Sequence, residues 1–236
     1  MSKPLVVLSG SRSGTNYFLS VYKEMVPDAV VLREVFRKGG DNLPELAELT
    51  GMPMTRLAVL GQEEPVALWK ILRQAVGSRP LALKIFYYHA RPESPIWERF
   101  AKEARIVHLL RRRILDTLIS RKFAEATGRW ITPSDVTSPS RPSFRLDPAE
   151  VAAFIAERQD YVRSFRERFR GADIHEIGYE DIAGDPHLCA TEIARLTGAA
   201  IPDLPLELPI RKQNTWTIPA VVSNYDEIAA FDKSHL

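Results

Sequence analysis

The chain has 236 residues, 45% apolar and 26% charged, with 32 Lys and Arg against 30 Asp and Glu. That is a globular composition, long enough for one large α/β domain. A net charge of +2 excludes a protein whose affinity rests on coating nucleic acid with cations. A single cysteine, Cys189, excludes a disulfide-stapled scaffold, fits a reducing compartment and reads as a small buried apolar residue. The cations divide into 23 Arg and 9 Lys. The planar fork of Arg suits phosphate-like and carboxylate oxyanions, so this bias hints at anion recognition.

In chain order, Leu5–Leu8, Ala29–Leu32, Leu81–Phe86, Ile106–Leu110 and the weaker Ile174–Ile177 are short apolar runs of the kind buried in parallel sheets. Helical patterns separate them at Thr15–Met25, Pro65–Val76, Pro95–Glu103, Arg113–Ala126 and Pro148–Phe169. The alternation predicts an α/β fold, P-loop-like, with three layers and a central parallel sheet flanked by helices. The last helix is the most clearly written. Asp147 supplies an N-cap, Pro148 suits the first turn and Glu150 completes a capping-box pattern. Val151, Phe154, Ile155, Tyr161, Val162, Phe165 and Phe169 form its expected buried stripe. Residues 128–147, rich in Pro, Ser and Thr, read as a binding loop or lid, with a merely disordered stretch as the alternative. With no composition shift along 1–236, a single domain is expected.

No apolar run nears the roughly 18 residues of a membrane span, and Leu5–Leu8 is too short for a signal segment. A cytoplasmic chain with no membrane span is therefore expected. A homodimer is compatible with the sequence but not readable from it.

The first site candidate is Ser9-Gly10-Ser11-Arg12-Ser13-Gly14-Thr15-Asn16, joining a buried strand to a helix. Glycines let such a loop curl, and N–H groups at the helix start then face an anion. Ser11, Arg12, Ser13, Thr15 and Asn16 add donors and charge. The plain alternative is a Ser/Gly-rich turn without a ligand. A nucleotide kinase or NTPase P-loop fits poorly: three residues rather than four separate Gly10 from Gly14, and Thr15 stands where that motif needs Lys.

Ser9–Tyr17 instead resembles the 5′-phosphosulfate loop of PAPS-dependent sulfotransferases, notably the bacterial branch that includes trehalose and nodulation-factor enzymes. The resemblance puts Arg12 at the loop's basic position and Tyr17 at an aromatic position often found against adenine. About a hundred residues on, Arg112, Asp116 and Ser120 match the family's 3′-phosphate motif, with Arg111 and Arg113 as register competitors. A solvated basic run is the alternative here. On a helix, Asp116 and Ser120 share a face. Tyr179-Glu180-Asp181-Ile182, Arg211-Lys212-Gln213-Asn214 and Ser223–Glu227 are similar to later family segments. The second of these implies Arg211 and Lys212 closing over the 3′-phosphate, although Gln213 replaces the usual Gly.

The resemblance implies PAPS as sulfuryl donor, PAP as product and no metal. The acceptor would be a hydroxyl of a carbohydrate, glycolipid or small metabolite, and its specificity would lie in 41–80 and 128–147. Arg12 would face the leaving phosphate oxygen. For the base, Glu34 follows the second strand, at the sheet edge where open α/β folds bind ligands, and Arg33–Phe36 resembles the branch's Glu-x-Phe segment. The alternative is a Glu34 paired with Arg33 or Arg37. His89 is the runner-up as base, and Lys84, a strand Lys among apolar residues, needs an anionic partner and would point at sulfate or acceptor. His108 reads as a core histidine. A non-catalytic PAP- or glycan-binding protein is a further alternative.

Overall fold

The computed structural model describes residues 3–130, 141–201, 208 and 216–236, and its five strands form one all-parallel sheet in the order β2-β3-β1-β4-β5. They are β1 (Leu5–Ser9), β2 (Val30–Leu32), β3 (Leu81–Phe86), β4 (Arg105–Leu110) and β5 (Ile174–Gly178). Each coincides with an expected apolar run to within a residue or so at its ends. Every side chain of β1 and β3 is buried, which is why neither strand shows polar alternation.

Helices cover both faces. Val6, Leu8, Leu83 and Ile85 pack with Leu68, Trp69 and Leu72 of α4 (Pro65–Val76) and Phe165 of α7 (Pro148–Arg168). Alternate strand residues Leu5, Val7, Ala82, Val107 and Leu109 meet Phe18, Val21 and Tyr22 of α1 (Thr15–Met25) and Ile193 of α9 (Pro186–Thr197). A third cluster joins Ile119 of α6 (Ile114–Thr127) to Val151 and Ile155 of α7 and to Val221 and Ile228 near the C-terminus. The remaining helices are α2 (Leu43–Thr50), α3 (Met54–Glu63), α5 (Ile96–Glu103), α8 (Tyr179–Ile182), α10 (Ile218–Val221) and α11 (Tyr225–Ile228). Among the described residues no helix is long and apolar enough to cross a membrane.

The structure adds to the sequence reading at two helices. Asn42 and Gly51, both left-handed, frame α2, and α3 follows Pro53. Neither helix was expected within 41–64, because each is too short for a periodic pattern to stand out. At α7, Asp147 accepts from the Ala149 N–H at 2.9 Å, while Glu150 turns to Lys122 of α6 at 2.6 Å instead of closing a capping box. The strand order reverses between β1 and β4. Ligands of open α/β sheets bind at the carboxyl ends of such strands, and both anion motifs begin there.

Candidate active site

The loop after β1 is held tightly. Ser9 Oγ donates to the Leu109 carbonyl at 2.6 Å, fixing the end of β1 against β4. The turn uses left-handed backbone at Arg12 (φ 67°) and Gly14 (φ 85°). For Arg12 that conformation costs roughly 1–2 kcal/mol, and such strain persists where surrounding contacts impose it. Gly14 has a second reason to be glycine: a Cβ there would lie 2.1 Å from the Tyr179 ring. No side chain caps α1, which leaves its first-turn N–H groups as candidate donors for an anion. Ser13 and Thr15 are buried beneath the loop. Tyr17 is half-buried, packs on the α1-side core and donates its hydroxyl to the Ile182 carbonyl at 3.1 Å.

The two anion motifs meet. Arg12 donates from Nε to Ser120 Oγ at 3.0 Å and from a terminal nitrogen to the Trp130 carbonyl at 2.5 Å. Burial, reinforced by Arg111, pushes the Arg12 pKa down to about 10 against the opposing effect of Tyr179. The three consecutive arginines diverge. Arg111 donates to the Arg12 carbonyl at 3.1 Å and lies over the Tyr179 ring at 5.1 Å. Arg112 pairs with Asp181 and, at 3.6 Å, with Glu180. Arg113 pairs with Asp116 at 3.4 Å. Glu180 also accepts from the Arg112 and Arg113 backbone N–H groups, each at 3.1 Å, locking the start of α6 to α8.

A second cluster lies where β2 and β3 end. Lys84, 3% exposed, donates to Asn16 Oδ1 at 2.7 Å and pairs with Glu34 at 2.9 Å. Glu34 is thus the anionic partner that a buried strand Lys requires. Burial lowers the Lys84 pKa, with Glu34 opposing. His89 Nε2 stands 3.6 Å from the other Glu34 oxygen, while its Nδ1 accepts from the Phe86 N–H at 3.2 Å. That bond assigns the proton to Nε2. Burial takes the His89 pKa down to about 4, Lys84 and Arg37 adding to it against Glu34. Arg37 reaches Glu34 at 4.0 Å, a partner the sequence had offered.

Below this cluster runs a cleft of about 850 Å³ between α1, β2 and α2, lined by Asn16, Arg33, Lys23, Glu45 and Glu48 over an apolar floor that includes Val31 and Leu32. Arg211, Lys212, Gln213 and Asn214 lie outside the described residues, as do 131–140 of the expected lid. At the lid's far end, Asn224 bonds both Leu146 backbone groups, at 3.0 and 2.8 Å. His108 is fully buried between Tyr87 Oη (2.7 Å) and Glu176 (3.0 Å), as a core histidine. Cys189 is buried, and burial pushes its thiol up to about 12.

Three site residues escaped the sequence reading. Arg111 was left as a register competitor, although a residue directly ending a strand is aimed at the sheet edge. Tyr179 lies inside a segment read only as similar to a later family segment. Arg158 interrupts the apolar stripe of α7 between Ile155 and Val162, and that interruption was its signal.

No family model and no curated protein matches this sequence. Solved structures do. The sulfotransferase domain from the curacin biosynthetic pathway aligns over 93% of this chain and 82% of its own, at 14% identity and a TM-score of 0.53. The sulfotransferase domain of the Synechococcus PCC 7002 olefin synthase covers 98% and 94%, at 15% and 0.50. A sulfotransferase from Alicyclobacillus acidocaldarius covers 98% and 92%, at 15% and 0.53. At this identity the likeness is one of fold. The chain has the fold of sulfotransferases.

Proposed function

We propose that this chain is a sulfotransferase that moves the sulfuryl group of PAPS to a hydroxyl acceptor. The observation that carries the reading is the union of the two anion motifs through Arg12 and Ser120, at 3.0 Å, beside the Glu34–Lys84 pair at 2.9 Å. The residues fit the donor's charge: uncapped N–H groups at α1, a half-buried Arg12 and a buried Lys84 suit its anionic groups.

In the reaction, the acceptor hydroxyl oxygen forms a bond to sulfur as the bond from sulfur to the 5′-phosphate oxygen breaks, that electron pair leaving on PAP. Glu34 takes the acceptor proton. Arg12 and the N–H groups of Ser13–Asn16 hold the 5′-phosphate and stabilise its leaving oxygen. Lys84, bridging Asn16 and Glu34, holds the base near the transferring group. Arg112, Ser120, Arg211 and Lys212 hold the 3′-phosphate, and Tyr17 sits on the nucleoside side. The cleft along α2, with both charge signs over an apolar floor, suits a hydroxyl-rich acceptor such as a carbohydrate, glycolipid or small metabolite.

Calorimetric titration with PAP tests the donor reading, with micromolar binding expected. Binding of Mg²⁺–ATP without PAP would replace it by a nucleotide kinase or NTPase. PAP binding with no transfer of labelled sulfate to a broad hydroxyl panel would leave a non-catalytic nucleotide- or glycan-binding protein.

A further inference from the structure

The buried face of α7 is apolar at Val151, Phe154, Ile155, Val162 and Phe165, and Arg158 stands in its middle. The residue is 5% exposed, with its guanidinium over the Phe154 ring at 4.8 Å. One nitrogen reaches Ser11 Oγ at 3.4 Å. Nε and the other terminal nitrogen have no hydrogen-bond partner. No carboxylate among the described residues comes within ion-pair distance. Burial lowers its pKa, with Tyr88 and Glu157 opposing. A buried guanidinium left this incomplete is strongly unfavourable unless a ligand completes it.

The loop is shaped around this side chain. A Cβ at Gly10 would lie 1.9 Å from the guanidinium. Since Gly10 is absent from the positive-φ positions, clearance rather than conformation calls for glycine there. Arg158 therefore meets the loop at Gly10 and Ser11, ahead of Arg12, whereas the α1 N–H groups lie beyond Gly14. The same Gly10 Cβ would lie 3.5 Å from the Tyr87 ring, and Tyr87 opens the turn that carries His89, whose Nε2 stands 3.6 Å from Glu34. The orphaned donors thus sit at the start of the loop, between Gly10 and the strand end that leads to His89.

We propose that Arg158 is a further catalytic residue, binding the oxyanion of the sulfuryl group itself, the part PAPS has and PAP lacks. This rests on the donor reading above. Between the 5′-phosphate and the base, the sulfuryl oxygens carry the negative charge that a planar guanidinium matches. Arg158 then holds the group in line while Arg12 attends the leaving oxygen.

The experiment compares PAP and PAPS binding to the wild type, Arg158→Met and Arg158→Lys by calorimetry. In Arg158→Met, PAPS should weaken about tenfold or more while PAP stays within about twofold, with partial recovery in Arg158→Lys. The melting temperature of unliganded Arg158→Met should equal or exceed the wild type, because an unpaired charge leaves an apolar face. Equal shifts for both ligands, or none, would overturn the proposal, as would a large loss of stability that Arg158→Lys restores without restoring the PAPS preference. A second arm keeps the two readings separate. Sodium sulfate should raise the wild-type melting temperature, relative to chloride at matched ionic strength, by more than it raises that of Arg158→Met. A wild type that binds no PAP but keeps this sulfate difference refutes the donor, not the anion site. Loss of the sulfate difference with PAP binding intact refutes the anion site alone.

Discussion

The Arg12 guanidinium donates to Ser120 Oγ at 3.0 Å across 108 positions of sequence, so the loop after β1 and the helix after β4 form one surface, the proposed anion site. Both groups sit at the carboxyl ends of adjacent strands, and the parallel register of β1 and β4 brings them together. Arg12→Ala should weaken PAP about a hundredfold, the loss expected when charge-assisted hydrogen bonds to phosphate go. Ser120→Ala should cost about tenfold or less, because a neutral donor is lost. Calorimetry on both variants checks the order. Equal affinity of Arg12→Ala and wild type would remove the loop from the donor site.

Glu34 is the expected base, and the tautomer of His89 argues against the rival. With Nδ1 accepting the Phe86 N–H at 3.2 Å, the proton on Nε2 faces Glu34 and no ring lone pair remains for an acceptor hydroxyl. Glu34→Gln should reduce kcat by about 10²–10⁴ with PAP affinity kept within about twofold. His89→Gln should retain most turnover. Steady-state kinetics with labelled sulfate decides between them, and the reverse pattern would give the role to His89.

Much of this arrangement was legible because parallel strands advertise themselves as unbroken apolar runs, and anion loops follow them by simple chain order. Glu34, Lys84 and His89 were each named separately, yet their union depends on β2 lying beside β3, a pairing no local pattern encodes. Arg158 was passed over for the opposite reason. A helical stripe is scored by its apolar members, so one charged member reads as noise until Gly10 is seen to make room for it. The three arginines at 111–113 differ only in the direction each leaves the strand, which spacing alone leaves open.

Arg112 separates binding from stability. Its guanidinium is about half exposed and pairs with Glu180 and Asp181. Exposed pairs contribute about 0–1 kcal/mol, so Arg112→Ala should leave the melting temperature nearly unchanged. As the proposed 3′-phosphate ligand it should nevertheless lose about tenfold in PAP affinity, and adenosine 5′-phosphosulfate, which lacks that phosphate, should bind the variant and wild type alike. A matching loss with both ligands would mean Arg112 acts by bracing α8.

His89 should also govern acid sensitivity. Its folded pKa, about 4, lies below its ordinary 6.5, chiefly through burial. Between these values the unfolded chain binds a proton that the folded one does not, so stability falls as pH drops from about 6.5 toward 4. Each pKa unit is worth about 1.4 kcal/mol, which sets a ceiling of about 3 kcal/mol for this histidine. Glu176, held down to about 2 by His108 and Arg166, loses its contribution in a lower window, below about 4.5. Urea unfolding of the wild type and His89→Asn at pH 7, 5.5 and 4.5 tests this. The wild type should lose stability across that range and the variant distinctly less. Parallel losses in both would assign the acid sensitivity to other groups.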